Sequence, residues 1–337
     1  MAPDAQPLVS VVTPVYNGGK YLAECIESVL AQTYQNWDYV IANNCSTDQT
    51  LEIAQAYAAK DSRIHIYNND KFLPIIANHN SAIRQISSES KYCKMVFADD
   101  LLLPECIERM VRVAEAFPSI GIVGAYGLEG ARVLWEGLPY PSTFIPGREI
   151  CRKSLLGGPY VFGTPHSLLY RSDLIRTRKS FYQEANPHAD NEVCYEVLQS
   201  ADFGFIHQIL TLSTDRSDSN SAAARKLESY VLCSLSAVIT HGPIYLSPEE
   251  YKVRLEQWMR QYYRALAKSW LRLRGKEFWS YHRERLMQLG HPLSPTRLAK
   301  AVVREVFRGV LHPLDALDGV LTWWPKALSG IGRKRAR

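Results

Sequence analysis

Two adjacent carboxylates, Asp99 and Asp100, follow the apolar run that ends in Met-Val-Phe-Ala and precede Leu-Leu-Leu-Pro. Neighbouring carboxylates repel each other, and a divalent cation shared with a diphosphate is a good reason to keep both. An Asp pair ahead of a helix also serves as an N-cap or a solvated acidic turn. A second cluster, Pro14-Val-Tyr16-Asn17-Gly18-Gly19, links an apolar run to a helical pattern. Tyr16 there can lie against a nucleobase or pack in a tight turn. The cluster lacks the three spaced glycines of a dinucleotide fingerprint, and no Gly-x-x-x-x-Gly-Lys-Ser/Thr phosphate loop occurs. A third cluster, His188-Ala-Asp190-Asn-Glu192, opens a helical pattern. Its acids can cap the helix and fill its first turn, or take a proton; His188 has an ordinary pKa near neutrality and is a second candidate base.

The elements that must carry these clusters are legible in the first 125 residues. Apolar, β-branched runs at 8–13, 38–42, 63–67, 93–97 and 120–124 alternate with four helical patterns, for example Leu22, Cys25, Ile26 and Val29. Such alternation predicts a parallel sheet with helices on both faces, and ligands bind such sheets at the carboxyl ends of the strands. The three informative stretches there are Pro14-Val-Tyr-Asn, Asn43-Asn-Cys-Ser-Thr-Asp and Ala98-Asp-Asp. From 126 to 215 the pattern is irregular, with strands expected at 167–170 and 203–210 and a helix at 191–199. Beyond a polar stretch at 213–221 the chain reads as helices. Ser247-Pro-Glu-Glu250 supplies a capping box for a helix running to about 274, whose many aromatics are expected to pack rather than to bind a cofactor.

Composition narrows the class. At 46% hydrophobic and 22% charged residues the chain is globular, and no apolar run approaches the roughly 18 residues that span a bilayer. Seven cysteines, an odd number with no zinc-like spacing, read as reduced thiols. The N-terminus lacks the basic start and long apolar stretch of a secretory leader, so the cytoplasm is the expected compartment. Residues 296–337 hold nine Lys or Arg against three Asp or Glu, whereas residues 1–295 hold 30 against 31. The net charge of +5 therefore resides in the tail, which argues against a nucleic-acid-binding surface.

In order and spacing, Ser10-Val-Val-Thr-Pro-Val-Tyr-Asn-Gly-Gly-Lys-Tyr-Leu, Ile26-Glu-Ser-Val-Leu-Ala-Gln-Thr-Tyr-Gln-Asn-Trp-Asp, Asn43-Asn-Cys-Ser-Thr-Asp and Phe97-Ala-Asp-Asp resemble the family-2 glycosyltransferases. The resemblance is close over 8–125 and weakens to about 215. It implies a GT-A fold, an α/β Rossmann-like and mostly parallel sheet flanked by helices, with a nucleotide-sugar donor, a divalent metal (Mg²⁺ or Mn²⁺) and inversion at the anomeric carbon. By the same resemblance Pro14, Tyr16 and Asn44 line the nucleobase, Asp99 faces the ribose and donor sugar, Asp100 binds the metal and Asp190 takes the acceptor proton. Arg216 lies where related enzymes close a basic loop over the phosphates, and a solvated loop is the alternative. The chain departs from the family's usual Asp-Asp-Gly-Ser-Thr-Asp at Asn43, Asn44 and Cys45. An Asn oxygen can still accept from a uracil N3–H, without charge assistance, and thymine or guanine offers a similar donor.

The resulting expectation is a GT-A catalytic domain over 1–240 (nucleotide-sugar half 8–125, acceptor half 126–240), a helical extension over 241–295 and a basic tail over 296–337. It would transfer sugar, from a UDP-sugar by the resemblance, to a hydroxyl of a glycan or lipid-linked saccharide. A sugar nucleotidyltransferase and a non-catalytic nucleotide-sugar or glycan-binding protein are the alternatives. In the tail, Arg297, Lys300, Arg304 and Arg308 gather on one helical stripe, and Leu298, Val302, Val306 and Val310 on another. Such a helix suits the inner face of an anionic membrane, with Trp323-Trp324 and the closing Arg333-Lys-Arg-Ala-Arg adding to it; packing on the protein is the alternative.

Overall fold

The computed structural model describes residues 6–186, 188–214 and 226–311. The chain forms two compact units, residues 1–219 and 220–337. The first contains β1 (Val9–Val15), α1 (Leu22–Leu30), β2 (Trp37–Asn43), α2 (Thr50–Ala58), β3 (Ile64–Asn68), α3 (Ile75–Ile83), β4 (Tyr92–Met95), β5 (Leu101–Leu102) and α4 (Cys106–Ala116). It continues with β6 (Ile120–Glu129), β7 (Arg132–Leu134), β8 (Phe144–Ile145), α5 (Gly147–Leu155), β9 (Leu168–Arg171), α6 (Ser172–Arg176), α7 (Ala189–Val197) and β10 (Asp202–Ser213).

These strands make one sheet in the order β3-β2-β1-β4-β9-β6-β10-β5, with β7 beside β6 and β8 beside β10. The first four run parallel, as the alternating pattern requires. All seven residues of β1 are buried, the mark of a central strand covered on both faces. From β4 the sheet becomes mixed: β9 is antiparallel to both β4 and β6, while β6 and β10 are parallel. Leu22, Cys25, Ile26 and Val29 give α1 one apolar face, buried against Val11, Tyr39 and Ile107 in the main core. Each such aliphatic side chain contributes on the order of 2 kcal/mol by leaving water.

The second unit contains α8 (Ser229–Tyr245), α9 (Pro248–Leu271), α10 (Lys276–Gln288) and α11 (Pro295–Leu311). The expected boundary at 240 falls inside α8, because Leu232 and Leu235 of that helix join a core with Met259, Tyr262 and Leu266 of α9 and Phe278 and Leu286 of α10. The capping box is present at α9, where Ser247 Oγ accepts from Glu250 N at 3.2 Å and Glu250 Oε2 from Ser247 N at 3.0 Å. Among its aromatics Tyr262 and Tyr263 are buried and Trp258 lies against the same core, whereas Trp270 is 50% exposed. Leu298 and Ala301 of α11 lie against this core, and Glu305 pairs with Arg264 at 3.1 Å and Lys268 at 3.7 Å. The opposite face leaves Val303, Val306 and Phe307 exposed beside Lys300 and Arg304. The tail's apolar residues are thus divided: Leu298 and Val302 half-buried, Val306 in solvent. Trp323, Trp324 and residues 333–337 lie outside the described residues. No helix among the described residues is long and apolar enough to cross a membrane.

Candidate active site

The turn after β1 is laced to the loop after β2. Asn17 adopts φ +49°, a left-handed conformation that Asn tolerates better than most residues. It thereby donates its N–H to Ser46 Oγ at 3.0 Å while its Oδ1 accepts from Thr47 N at 2.8 Å. Gly18 is required by space, since a Cβ would lie 2.6 Å from Val15 Cγ2. Gly18 N donates to Thr50 Oγ1 and Gly19 N to Asp48 Oδ2, each at 2.9 Å. Burial pushes Asp48 upward, but the Thr50 hydroxyl and the N–H groups of Gly19 and Thr50 outweigh it and hold the carboxyl below its ordinary range.

Pro14 is buried near the end of β1, Tyr16 follows it at the exposed turn, and Asn44 is tied to the same strand end, its N–H donating to Val15 O at 2.8 Å. Tyr16 is 48% exposed and stands edge-on to Phe72, itself 56% exposed, with ring centres 4.8 Å apart. Asn44 is buried, and its side chain is engaged: Oδ1 accepts from Asn69 Nδ2 at 3.0 Å and Leu73 N at 2.9 Å, and Nδ2 donates to Leu73 O at 2.9 Å. The loop carrying Phe72 is therefore fixed by Asn44. Phe72, which the sequence reading did not select, stands beside Tyr16.

Asp99 and Asp100 follow β4 and differ in environment: Asp99 is half-exposed and Asp100 buried. Asp100 Oδ2 lies 3.0 Å from His166 Nδ1, which also lies 2.9 Å from Thr164 Oγ1. Ser213 Oγ is 2.8 Å from His166 Nε2. Burial pushes His166 down to about 3, so the contact is a hydrogen bond from neutral imidazole rather than an ion pair. Beneath it, Lys94 is fully buried in β4 and its Nζ donates to the carbonyls of His166 and Leu168. Thr214, just past β10, donates its hydroxyl to Asp99 O at 2.6 Å. Neither His166 nor Thr214 sits in a recognisable motif; Lys94 alone gave a signal, as a cation inside an apolar strand.

Among the described residues no three His, Cys, Asp or Glu side chains form a ready cage for a metal. Mg²⁺ and Mn²⁺ are hard ions that take one or two carboxylates when a diphosphate supplies further oxygens, and adjacent Asp99 and Asp100 at a strand end fit that donor set.

Asp190 lies in the first turn of α7. It is half-buried, and desolvation pushes its carboxyl from 3.8 up to about 6, against two backbone hydrogen bonds that lower it. Glu192 instead accepts from Asn186 Nδ2 at 2.8 Å, and His188 is tied through its N–H to Asn186 Oδ1 at 2.9 Å. Between Asp190 and Asp100 runs a chain of contacts: Asn191 Nδ2 donates to Tyr160 Oη at 3.1 Å, Tyr160 faces Trp135 at 5.8 Å, and Trp135 lies over Gly163 in the segment leading to His166. Arg216 lies outside the described residues.

A sheet of this topology with paired carboxylates at a strand end is that of GT-A enzymes. The family model Glycosyl transferase family 2 matches residues 10–178. Over 239 residues the chain is 30% identical to EpsE of Bacillus subtilis (strain 168), which bears a glycosyltransferase name, covering 66% of this chain and 84% of EpsE. The fold is similar to that of S. aureus TarS solved with UDP, with a TM-score of 0.59 and 18% identity over 91% of this chain and 87% of that one. It is also similar to the mannosyltransferase PcManGT of Pyrobaculum calidifontis, solved with GDP-Man and Mn²⁺ (TM-score 0.52, 14% identity, 99% and 89% covered). This chain belongs to glycosyltransferase family 2. It is a glycosyltransferase, as the sequence motifs implied, which sets aside the nucleotidyltransferase and non-catalytic alternatives.

Proposed function

We propose that the enzyme moves a sugar, with inversion, from a nucleoside-diphosphate sugar to a hydroxyl of a glycan or lipid-linked saccharide in polysaccharide assembly. The observation that carries this reading is Asp190. A carboxyl titrating near 6 is ionised at neutral pH yet basic enough to take a proton from an attacking hydroxyl. An inverting transfer needs that base on the face of the sugar opposite the leaving diphosphate, which the Asp99–Asp100 side would hold.

Tyr16 and Pro14 would receive the base, with Phe72 beside them, and Asn44 would act on it by holding the 69–73 loop. A UDP-sugar is favoured, in keeping with the UDP bound by TarS. Asp99 would face the ribose and sugar, and Arg216 would help neutralise the phosphates. Mg²⁺ or Mn²⁺, held by Asp100, would supply Lewis-acid stabilisation of the departing diphosphate. His166 orients the Asp100 carboxylate. The division of the chain into nucleotide, acceptor and helical parts is proposed on the same basis, with the helical part from about 220.

For location we propose the cytoplasmic face of a membrane. Val303, Val306 and Phe307 are exposed beside Lys300 and Arg304, a combination suited to shallow insertion among anionic headgroups.

The test is incubation with UDP-, GDP- and TDP-sugars plus cell-extracted acceptors, with products read by chromatography and proton NMR. Nucleoside diphosphate release with an inverted anomeric coupling is expected. Retention of configuration, or release of pyrophosphate, would refute the reading.

A further inference from the structure

Trp135 follows β7 with φ +73°, a left-handed backbone that a bulky residue adopts only under strain. Strain of this kind clusters at functional sites. The pyrrole edge of its indole is lodged over two glycines. A Cβ at Gly127 or at Gly163 would each lie 3.3 Å from Trp135 Nε1. Gly163 has φ +64°, and a Cβ there would also lie 2.2 Å from Ser167 Oγ.

Two polar atoms border the position that a Cβ would take at Gly127. Trp135 Nε1 is buried without a hydrogen-bond partner, and so is Thr211 Oγ1, 3.1 Å from the same Cβ position. A buried orphan donor is itself destabilising. Strain and unpaired polar groups coincide at one aromatic side chain, which folding alone does not explain. Tyr160 continues the surface, 40% exposed and tilted 51° to the indole. Its hydroxyl accepts from Asn191, next in sequence to Asp190, while Gly163 leads through Thr164 to His166 and Asp100.

The aromatic pair therefore touches the neighbour of the proposed base on one side, through Asn191, and on the other the Gly163 segment that leads to His166, the partner of Asp100. An acceptor must occupy the ground between those two groups. We propose that Trp135 and Tyr160 form the platform on which the acceptor's terminal pyranose stacks, with its reacting hydroxyl turned toward Asp190. Aromatic faces carry negative charge and attract the polarised C–H face of a sugar ring, and Tyr adds a polar tip. The ligand class is a neutral or N-acetylated pyranose. This inference rests on the glycosyl-transfer reading above.

Saturation-transfer NMR on the full chain with UDP and Mn²⁺ tests it without turnover, using methyl glycosides of glucose, galactose, mannose and N-acetylglucosamine. At least one should receive saturation on its ring protons. Trp135→Ala should lose that signal, Trp135→Phe should restore part of it, and Tyr160→Phe should weaken it. UDP affinity by calorimetry should stay within about two-fold in all three, showing that the donor side is folded. A pyranoside signal as strong in Trp135→Ala as in the parent, or none in the parent, overturns the platform. A parent that binds no nucleoside diphosphate overturns the broader reading, and the platform with it.

Discussion

Asn44 grips Leu73 at both backbone groups, its Oδ1 accepting from the Leu73 N–H and its Nδ2 donating to the Leu73 carbonyl, each at 2.9 Å. The carboxamide that replaces the family's usual aspartate thus works as a two-point clamp on the loop bearing Phe72. An aspartate could not make both bonds.

Asn44→Asp would set a carboxylate oxygen against the Leu73 carbonyl and remove a donor inside a buried site. A loss of about 1–3 kcal/mol of stability follows, with weaker UDP binding rather than the tighter binding that restored charge alone would suggest. Calorimetry and thermal melts of the variant check both, and tighter UDP binding would show direct contact with the base.

Asp190→Asn separates catalysis from stability. Transfer should fall by roughly 10²–10⁴ with UDP affinity kept. The folded carboxyl titrates near 6 against 3.8 for an ordinary Asp, so the fold favours its protonated form. That contribution is present below about pH 4 and is lost as pH rises through 6. The neutral Asn escapes the loss, so at pH 7 the variant should be more stable by on the order of 2 kcal/mol, a gain that vanishes toward pH 4. In the parent, kcat/KM should fall as pH drops below about 6. Melts and rate profiles between pH 4 and 8 are the measurement.

Asp100→Asn keeps the shape beside His166 but removes the charge that balances a cation. UDP affinity in Mn²⁺ should drop to its value in chelator, while affinity in chelator stays near that of the parent. Calorimetry with and without EDTA reads this directly, and equal Mn²⁺ dependence in both proteins would move the metal elsewhere.

Phe307→Asp and Val303→Asp alter only the solvent face of α11, since Leu298, Ala301 and Glu305 make its contacts with α9. Co-sedimentation with phosphatidylglycerol vesicles at low salt should fall at least about five-fold with melting unchanged, the loss of buried apolar surface being the cause. Equal sedimentation of parent and variants would leave α11 a purely structural helix.

The first half of the sheet was legible because β1 to β4 and α1 to α4 repeat one pattern, with polar and acidic residues following β1, β2 and β4. Tyr16, Asp99 and Asp100 stand at set points of that repeating plan, whereas Asp190 lies outside it, in α7, and is singled out only by the resemblance. The rest was not, because it depends on pairings between distant segments. His166 gains its partner only when β9 inserts antiparallel beside β4, and nothing local in Pro165-His166-Ser167 announces that. Lys94 carried a signal that went unread, a charge within a buried strand. The Asn44 clamp depends on a loop 29 residues away, so sequence spacing could suggest a ligand contact but not the backbone that takes its place.

The four-residue strand β9 touches β4 and β6 through three residue pairs each, and so seams the parallel strands β1 to β4 to the β6–β10 pair. Leu168, Leu169 and Tyr170 are each no more than 1% exposed, so the seam opens only at the expense of the surrounding core. Its amide protons should exchange with solvent at the rate of global unfolding rather than local fraying. The two halves then share one folding equilibrium, and a nucleoside diphosphate that binds only the folded chain should slow hydrogen exchange in β6 and β10 as much as in β1 and β4.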